Sequence, residues 1–448
     1  MIKERQALTA LAVVLFVYVL VIRTYDVAGT FLMLGEQTRD WTVALGSITD
    51  LPLVGAPSTA GGRGFGPAYY WVLWIGRVVL GPFMDNLPHA GGVTVALMQS
   101  IADAFLFVAL SRRVHWSLAL AMCLLIASAP FDIAISSVIW NPPVSEAFIK
   151  MAMAAALMLT PSSPLWQVGL AAAFAWLSVQ AHLSGIFVAA PLLIAMALQS
   201  LSANKIRSVL LPRLLAIAGT VLVLQIPFFI SMLREPSAPV GPGAALAGLT
   251  HPKVFQPVIA YGTVTGIAGN LVWPLWDSYE YAVPVLIGAV VIAIAYRKDF
   301  VLIAMTGGAF LTATALFTTS TRNYDGYWFL TMTAALTLTL GMAVAAIPSK
   351  TAVKVIGIAA LLFVAWRQPA RITDSTRFFK YPQYDAMLKG SRRAIEQAPV
   401  VKDIRVTFDV HPTMDRQFIY KILGGRIDGS ALYTAVINSD GSIRLATD

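Results

Sequence analysis

The sequence contains little charge and almost no cysteine. Charged residues make up 12% of its 448 residues, hydrophobic residues make up 57%, and Cys123 is its one cysteine. This composition excludes an ordinary soluble domain, because long apolar runs would have no place shielded from water. A single cysteine also excludes an intramolecular disulfide. The sequence therefore predicts a polytopic α-helical membrane protein.

Several common site motifs are also missing. The chain has no HExxH, no CxxC, no Walker loop and no GxGxxG after a strand, and its five histidines are scattered. A dedicated zinc or nucleotide site is therefore not expected. The formal net charge is +9, but the basic residues form short clusters between apolar runs. This pattern is typical of contact with membrane lipids and argues against nucleic acid as a partner.

The basic clusters predict the topology, because short loops rich in Lys and Arg remain cytoplasmic. The clusters are Lys3/Arg5, Arg112/Arg113, Lys205/Arg207, Arg297/Lys298 and Lys350/Lys354. All five lie on one side only if the aromatic stretch 67–83 does not cross the membrane and instead lies near its outer surface. We therefore expect a cytoplasmic N-terminus and an external first loop, residues 23–92.

Hydropathy on this topology predicts about eleven transmembrane helices. The expected spans are 7–22, 93–110, 116–131, 144–160, 165–180, 183–200, 208–230, 282–296, 300–318, 327–347 and 351–366. Within them, Asp103 and the Glu146/Lys150 pair are costly in lipid and should face the bundle, where the pair can neutralise itself.

The C-terminal part has a different composition. After Arg367, charged residues alternate with aromatic ones, and the patterns DIRVTFDV, MDRQFIYKIL, ALYTAVIN and GSIRLAT predict a strand, a helix and two strands. We expect a transmembrane domain over 1–366 and a small external or periplasmic α/β domain over 367–448. The whole chain is then a multi-pass protein of the inner or plasma membrane.

The stretch GEQTRDW places two carboxylates, Glu36 and Asp40, on the predicted external side. In a helix, positions i and i+4 share a face, whereas Arg39 would point elsewhere. The pair is either a set of ordinary surface charges or the acidic group of a catalytic site.

The order of features resembles the GT-C superfamily of polyprenyl-phosphate-sugar glycosyltransferases, which includes protein mannosyltransferases and lipid A aminoarabinose transferases. The resemblance runs from Ala7 to Trp366 and rests on EQTR at 36–39, DLPLVG at 50–55 and GPAYYW at 66–71. These stretches are similar to the family's acidic motif, its Pro-rich turn and its aromatic interfacial helix. In this register Glu36 stands where the family has a catalytic Asp, and Phe65 stands where a basic residue often precedes the Pro-Pro.

The resemblance implies transfer of a sugar from a polyprenyl-phosphate donor to an acceptor on the external face. One carboxylate, Glu36 or Asp40, would remove the acceptor's proton, and a phosphate leaving group needs no general acid but needs fixed positive charge. The predicted substrate-binding residues are Arg322, Tyr324, Arg63, His182, Arg39 and Tyr69. Arg322 is the first choice for the phosphate, because the planar guanidinium matches phosphate oxygens.

Other readings remain open. A divalent metal at Glu36/Asp40 is conceivable, although the sequence supplies no third ligand, and no cofactor is otherwise predicted. Buried Asp, Glu and Lys in many apolar spans are also typical of a lipid-linked saccharide transporter or flippase. A polysaccharide polymerase would share lipid-linked substrates but is expected to carry its key residues in late loops. The acceptor, whether lipid, glycan or protein, is not encoded in these motifs.

Overall fold

The computed structural model describes residues 2–25, 27, 31–57, 63–199, 206–234, 282–319, 330–375, 383–397, 405–409, 416–425, 433–438 and 440–447. In these ranges most of the chain is α-helical, and we number the helices along the described residues. They are α1 (Ile2–Thr24), α2 (Gly35–Leu45), α3 (Ala68–Leu80), α4 (His89–Leu110), α5 (Trp116–Ala127), α6 (Pro130–Ile135), α7 (Asn141–Leu157), α8 (Leu165–Ala181), α9 (Ile186–Leu198), α10 (Ile206–Arg234), α11 (Ala282–Ala295), α12 (Phe300–Ile303), α13 (Ala309–Thr319), α14 (Thr333–Ala345), α15 (Lys350–Ser375), α16 (Gln383–Gln397) and α17 (Arg416–Ile422).

Apolar helices dominate this architecture. Among the described residues, four helical segments are long and apolar enough to cross a membrane: Gln6–Thr24, His89–Leu110, Val209–Arg234 and Lys350–Thr373. Six further apolar helices have 10–17 residues. The aromatic helix α3 has 13 residues and is absent from both groups. A membrane location agrees with these helices, and the number of spans stays a prediction.

The centre of the bundle is formed by α1, α4, α7 and α8, which pack against one another in that order. Their contact surfaces are rich in alanine and other small apolar residues, so the helix axes can approach closely. The bundle supports α2 and α3, which pack together over the first residues of α4.

Charged side chains from four helices meet inside this bundle. The Arg23 guanidinium of α1 lies 2.7 Å from Asp103 of α4 and 2.6 Å from Asp132 of α6. The Lys150 ammonium of α7 lies 3.0 Å from Asp103 and 3.1 Å from Glu146. All five side chains are fully buried. Asp103 and the Glu146/Lys150 pair thus face the bundle as expected, but the pair belongs to a larger network.

A neutral residue completes the network. The Gln99 amide nitrogen donates to Glu146 at 3.0 Å and to the Pro143 carbonyl at 2.6 Å, and its oxygen accepts from Lys150 at 2.7 Å. Three carboxyl groups face two cations here, so the network carries an excess negative charge unless one carboxyl is protonated. The bonds fix the first three turns of α7 against α4.

The described C-terminal residues include a three-stranded sheet in the order β1-β2-β3. The strand β1 (Arg405–Asp409) runs parallel to β2 (Tyr433–Asn438), which pairs antiparallel with β3 (Ile443–Thr447). Gly441 has φ +78° in the turn before β3, a conformation that favours glycine. The strand, helix, strand, strand order is the one the sequence pattern predicts.

The helix α16 connects the sheet to the bundle. Its Tyr384 ring is buried and lies 5.0 Å from the His89 ring and 5.4 Å from the Phe31 ring, measured between centroids. His89 begins α4 and Phe31 precedes α2. The C-terminal elements therefore pack against the end of the bundle that carries α2 and α3.

Candidate active site

The stretch GEQTRDW forms the first two turns of α2. The Gln37 side chain accepts a hydrogen bond from the Leu34 backbone N–H at 3.2 Å and so closes the start of the helix. Trp41 is fully buried and packs where α4 has Gly91: a Cβ there would lie 2.7 Å from the Trp41 ring. The glycine lets the two helices approach and so sets the position of α2.

Asp40 is buried, and three donors converge on its carboxylate. The Tyr69 hydroxyl donates to Oδ2 at 3.1 Å, and the Tyr70 hydroxyl donates to Oδ1 at 3.1 Å. Arg39 Nε donates to Oδ1 at 2.8 Å, so the expectation that Arg39 points away from Asp40 was wrong. The Arg39 side chain folds back onto Asp40, because a buried carboxylate is destabilising unless a cation pairs with it. Asp40 is 1% exposed and fixes α3 against α2.

Burial raises the pKa of Tyr69 and of Tyr70, and the neighbouring Asp40 carboxylate raises both further. Both phenols therefore keep their protons at neutral pH and act as hydrogen-bond donors to Asp40. Burial and these three donors leave the Asp40 carboxylate little room to contact an incoming hydroxyl group.

Glu36 has the opposite environment. Its carboxylate is exposed and, within the part of the chain that the structure describes, accepts one hydrogen bond, from the Trp140 indole Nε1 at 3.2 Å. Trp140 directly precedes α7, and the next residue, Asn141, donates to the Ala181 carbonyl at the end of α8 at 3.2 Å. The four-residue spacing therefore joins two unlike groups, an accessible carboxylate and a buried structural one.

Arg63 lies in the loop that leads into α3 and is exposed. Its charge offsets a small part of the rise in the pKa of Tyr70 that burial and Asp40 cause, which places Arg63 in the electrostatic neighbourhood of the Asp40 group. The loop is held from two sides: Gln225 of α10 donates to the Phe65 carbonyl at 2.8 Å, and a Cβ at Gly66 would lie 2.4 Å from the Gln180 side chain. Arg63 and the half-exposed Arg39 thus supply two cations beside α2 and α3.

His182 lies between α8 and the following 3₁₀ helix. Its Nδ1 is 2.7 Å from the Ser184 hydroxyl and accepts from the Ser184 backbone N–H at 3.3 Å. Burial lowers the pKa of His182 to about 3, so the imidazole is neutral at physiological pH. This geometry favours helix capping over phosphate binding, because a neutral ring brings no positive charge to a phosphate.

Arg322 and Tyr324 lie outside the described residues, and their proposed roles stay predictions. Sequence reasoning missed two groups that the structure brings to the site: Trp140 beside Glu36 and Tyr70 beside Asp40. Tyr70 could have been predicted, because it is adjacent to Tyr69 in the same motif. Trp140 lies 104 positions from Glu36, and no sequence motif connects the two residues. Within the described residues, no cluster of three or more potential metal ligands occurs.

The fold is similar to that of solved GT-C membrane glycosyltransferases, so the resemblance predicted from the sequence is confirmed for the fold. ArnT from Cupriavidus metallidurans bound to undecaprenyl phosphate is similar with a TM-score of 0.61 and 15% identity, over 94% of this chain and 86% of that one. The apo form of the same protein gives 0.59 and 16%, over 91% and 84%. Arabinofuranosyltransferase AftD from Mycobacteria gives 0.51 and 12%, over 92% of this chain and 31% of that one. No family model and no curated protein sequence matches the chain.

Proposed function

We propose that this protein transfers a sugar from a polyprenyl-phosphate donor to an acceptor hydroxyl at the external face of a membrane, with Glu36 as the general base. The observation that carries the proposal is the contrast between the exposed Glu36 carboxylate and the buried Asp40 carboxylate, which accepts hydrogen bonds from Arg39, Tyr69 and Tyr70. The GT-C fold supports the reaction class, and the undecaprenyl phosphate bound to the similar ArnT structure supports the donor class.

The proposed reaction needs a single proton acceptor. The Glu36 carboxylate takes the proton of the acceptor hydroxyl while the oxygen attacks the anomeric carbon. The bond between that carbon and the phosphate oxygen breaks, and its electron pair leaves with the phosphate. Because the phosphate is a weak base, it departs without a general acid.

The departing phosphate requires positive charge fixed near the site. Arg63 and Arg39 both act electrostatically on Tyr70, which contacts Asp40, and Arg39 is held in place by Asp40 at 2.8 Å. In this proposal Asp40, Tyr69 and Tyr70 position Arg39 and do not touch the reacting atoms. Arg322 and Tyr324 remain proposed donor ligands from the resemblance.

Topology completes the proposal. We infer about eleven spans, a cytoplasmic N-terminus and an external first loop over 23–92, because this arrangement keeps every basic cluster cytoplasmic. The elements after residue 367 would form an external or periplasmic α/β domain, since α16 packs against the same end of the bundle as α2. Labelling of single introduced cysteines at 84–92 in a Cys123→Ser background tests this, and labelling from the cytoplasm would contradict it.

The reaction itself is tested in two steps. Mass spectrometry of envelope lipids and glycans from cells with and without the protein identifies the glycosylated product. Purified protein is then mixed with polyprenyl-phosphate sugar extracted from the same cells and with the identified acceptor. A new glycosidic bond supports a transferase. A lipid-linked saccharide flippase would form none and would instead move donor across proteoliposome membranes.

A further inference from the structure

A cavity of about 480 Å³ lies at the other end of the bundle from Glu36. Its wall includes Arg113, Gln199, Tyr296, Arg297, Lys298 and Asp299. Arg113 follows the C-terminal end of α4, whose first residue, His89, packs on Phe31 beside α2. A helix of 22 residues is about 33 Å long. The cavity is therefore separate from the candidate active site.

One carboxylate lines this cavity, and each of its two oxygens already has a partner. Asp299 Oδ2 lies 2.8 Å from Arg113 Nη1, while Oδ1 accepts the Leu302 backbone N–H at 3.0 Å. Arg297 and Lys298 are exposed, and neither forms an ion pair with any residue that the structure describes. The wall thus carries two cations that are available to a ligand.

A buried arginine adds to the positive charge behind the wall. Arg213 is 1% exposed and donates to the Gln199 side chain at 3.1 Å, to the Met196 carbonyl at 3.3 Å and to the Thr160 carbonyl. All three acceptors are neutral, and across the described ranges no carboxylate pairs with this guanidinium. Gln199 and Thr160 both line the cavity. Arg213 is therefore bonded directly to the wall of the cavity, and its positive charge, which no described carboxylate neutralises, acts on the inside of the cavity.

We propose that this pocket binds a phosphate group, either in the headgroup of an anionic phospholipid or as the free anion. The tendency of basic residues to remain on the cytoplasmic side would explain the exposed Arg297 and Lys298. It does not explain why a cavity lies beside the buried Arg213, which no described carboxylate neutralises. Basic pockets between helix ends at the cytoplasmic surface have the charge and position to hold lipid phosphates. The apolar wall residues Leu159, Pro161 and Ala295 suit the glycerol and first acyl carbons of a lipid.

The test uses the full-length protein in detergent and native mass spectrometry. The probes are phosphatidylglycerol and phosphatidylcholine with identical acyl chains. We expect wild-type protein to prefer phosphatidylglycerol, and Arg297→Gln/Lys298→Gln to reduce its affinity for that lipid by on the order of tenfold or more. The matched control is Lys350→Gln/Lys354→Gln, which removes two exposed charges at the start of α15, outside the pocket. The control should retain wild-type preference.

A competition with millimolar inorganic phosphate separates the two sources. Displacement of the lipid together with a phosphate-dependent rise in unfolding temperature, both lost in the pocket variant, identifies a site for the anion itself. If inorganic phosphate does not displace the bound lipid, the pocket is a site for the lipid headgroup. The proposal is overturned if the pocket variant binds phosphatidylglycerol as tightly as wild type, or if the control variant loses as much affinity as the pocket variant. It is also overturned if wild-type protein neither distinguishes the two lipids nor responds to phosphate.

Discussion

The Trp140 indole donates a hydrogen bond to the Glu36 carboxylate at 3.2 Å across 104 positions of sequence. The bond joins the helix α2 to the start of α7, which the buried charge network fixes through Gln99, Glu146 and Lys150. The direction of the exposed carboxylate is thus set by the bundle as well as by α2.

Trp140→Phe should lower turnover by about tenfold, because a hydrogen bond to a charged group is lost while an aromatic ring remains at the position. The Michaelis constant for the donor should change little, since the substitution moves no proposed phosphate ligand. Steady-state kinetics with purified protein measures both. Trp166→Phe is the control, since Trp166 is 66% exposed on α8; equal losses in the two variants would contradict a role for the Trp140–Glu36 bond.

The buried network has more carboxyl groups than cations. We therefore expect the loss of Lys150 and the loss of the Glu146 charge to have unequal effects on stability. Lys150→Met leaves Arg23 as the one described cation within ion-pair distance of the buried carboxyl groups and should destabilise the protein by about 3–5 kcal/mol. Glu146→Gln keeps the shape and removes the excess acidic group, so its effect should be far smaller. Thermal unfolding in detergent compares the two.

The control for this asymmetry is the Asp385–Lys389 pair, which has the same i,i+4 spacing but a lysine side chain that is 62% exposed. Lys389→Met should leave the unfolding temperature nearly unchanged. If Glu146→Gln destabilises as strongly as Lys150→Met, the charge count of the network is wrong.

Gly91→Ala should displace Trp41 and with it α2. The new Cβ would lie 2.7 Å from the Trp41 ring and 2.9 Å from Ile139, and such overpacking costs about 1–3 kcal/mol. Both unfolding temperature and transfer activity should fall. In the matched variant Gly219→Ala, the Cβ meets no atom within 4 Å, so stability should be kept or slightly raised. An unchanged Gly91→Ala protein would show that α2 is not positioned through Trp41.

The sequence predicted the parts of the fold that depend on local pattern. Apolar runs indicated the transmembrane helices, whereas a helix at Glu36 and Asp40 was only the condition under which the two carboxylates would share a face. Which carboxylate is buried was beyond the pattern, because it depends on Tyr69 and Tyr70, about thirty positions further along the chain. The contact between Arg39 and Asp40 was also beyond the pattern, because it depends on the burial of Asp40.

The charge network shows a similar limit. The spacing of Glu146 and Lys150 predicted a pair, and the pair forms at 3.1 Å. Arg23 and Asp132 join it from α1 and α6, and no local spacing connects those helices. Contacts between distant segments arise from packing, which a single sequence does not display.

The most direct test of the account compares turnover and unfolding temperature in Glu36→Gln and Asp40→Asn, using purified protein, donor and acceptor. Glu36→Gln should unfold like wild type, since the side chain is exposed, and should lose about 10²- to 10⁴-fold in turnover as a missing general base does. Asp40→Asn should lower the unfolding temperature and reduce turnover less, because it disturbs the bonds to Arg39, Tyr69 and Tyr70. Full transfer activity in the Glu36→Gln/Asp40→Asn double variant would contradict the assignment of this site.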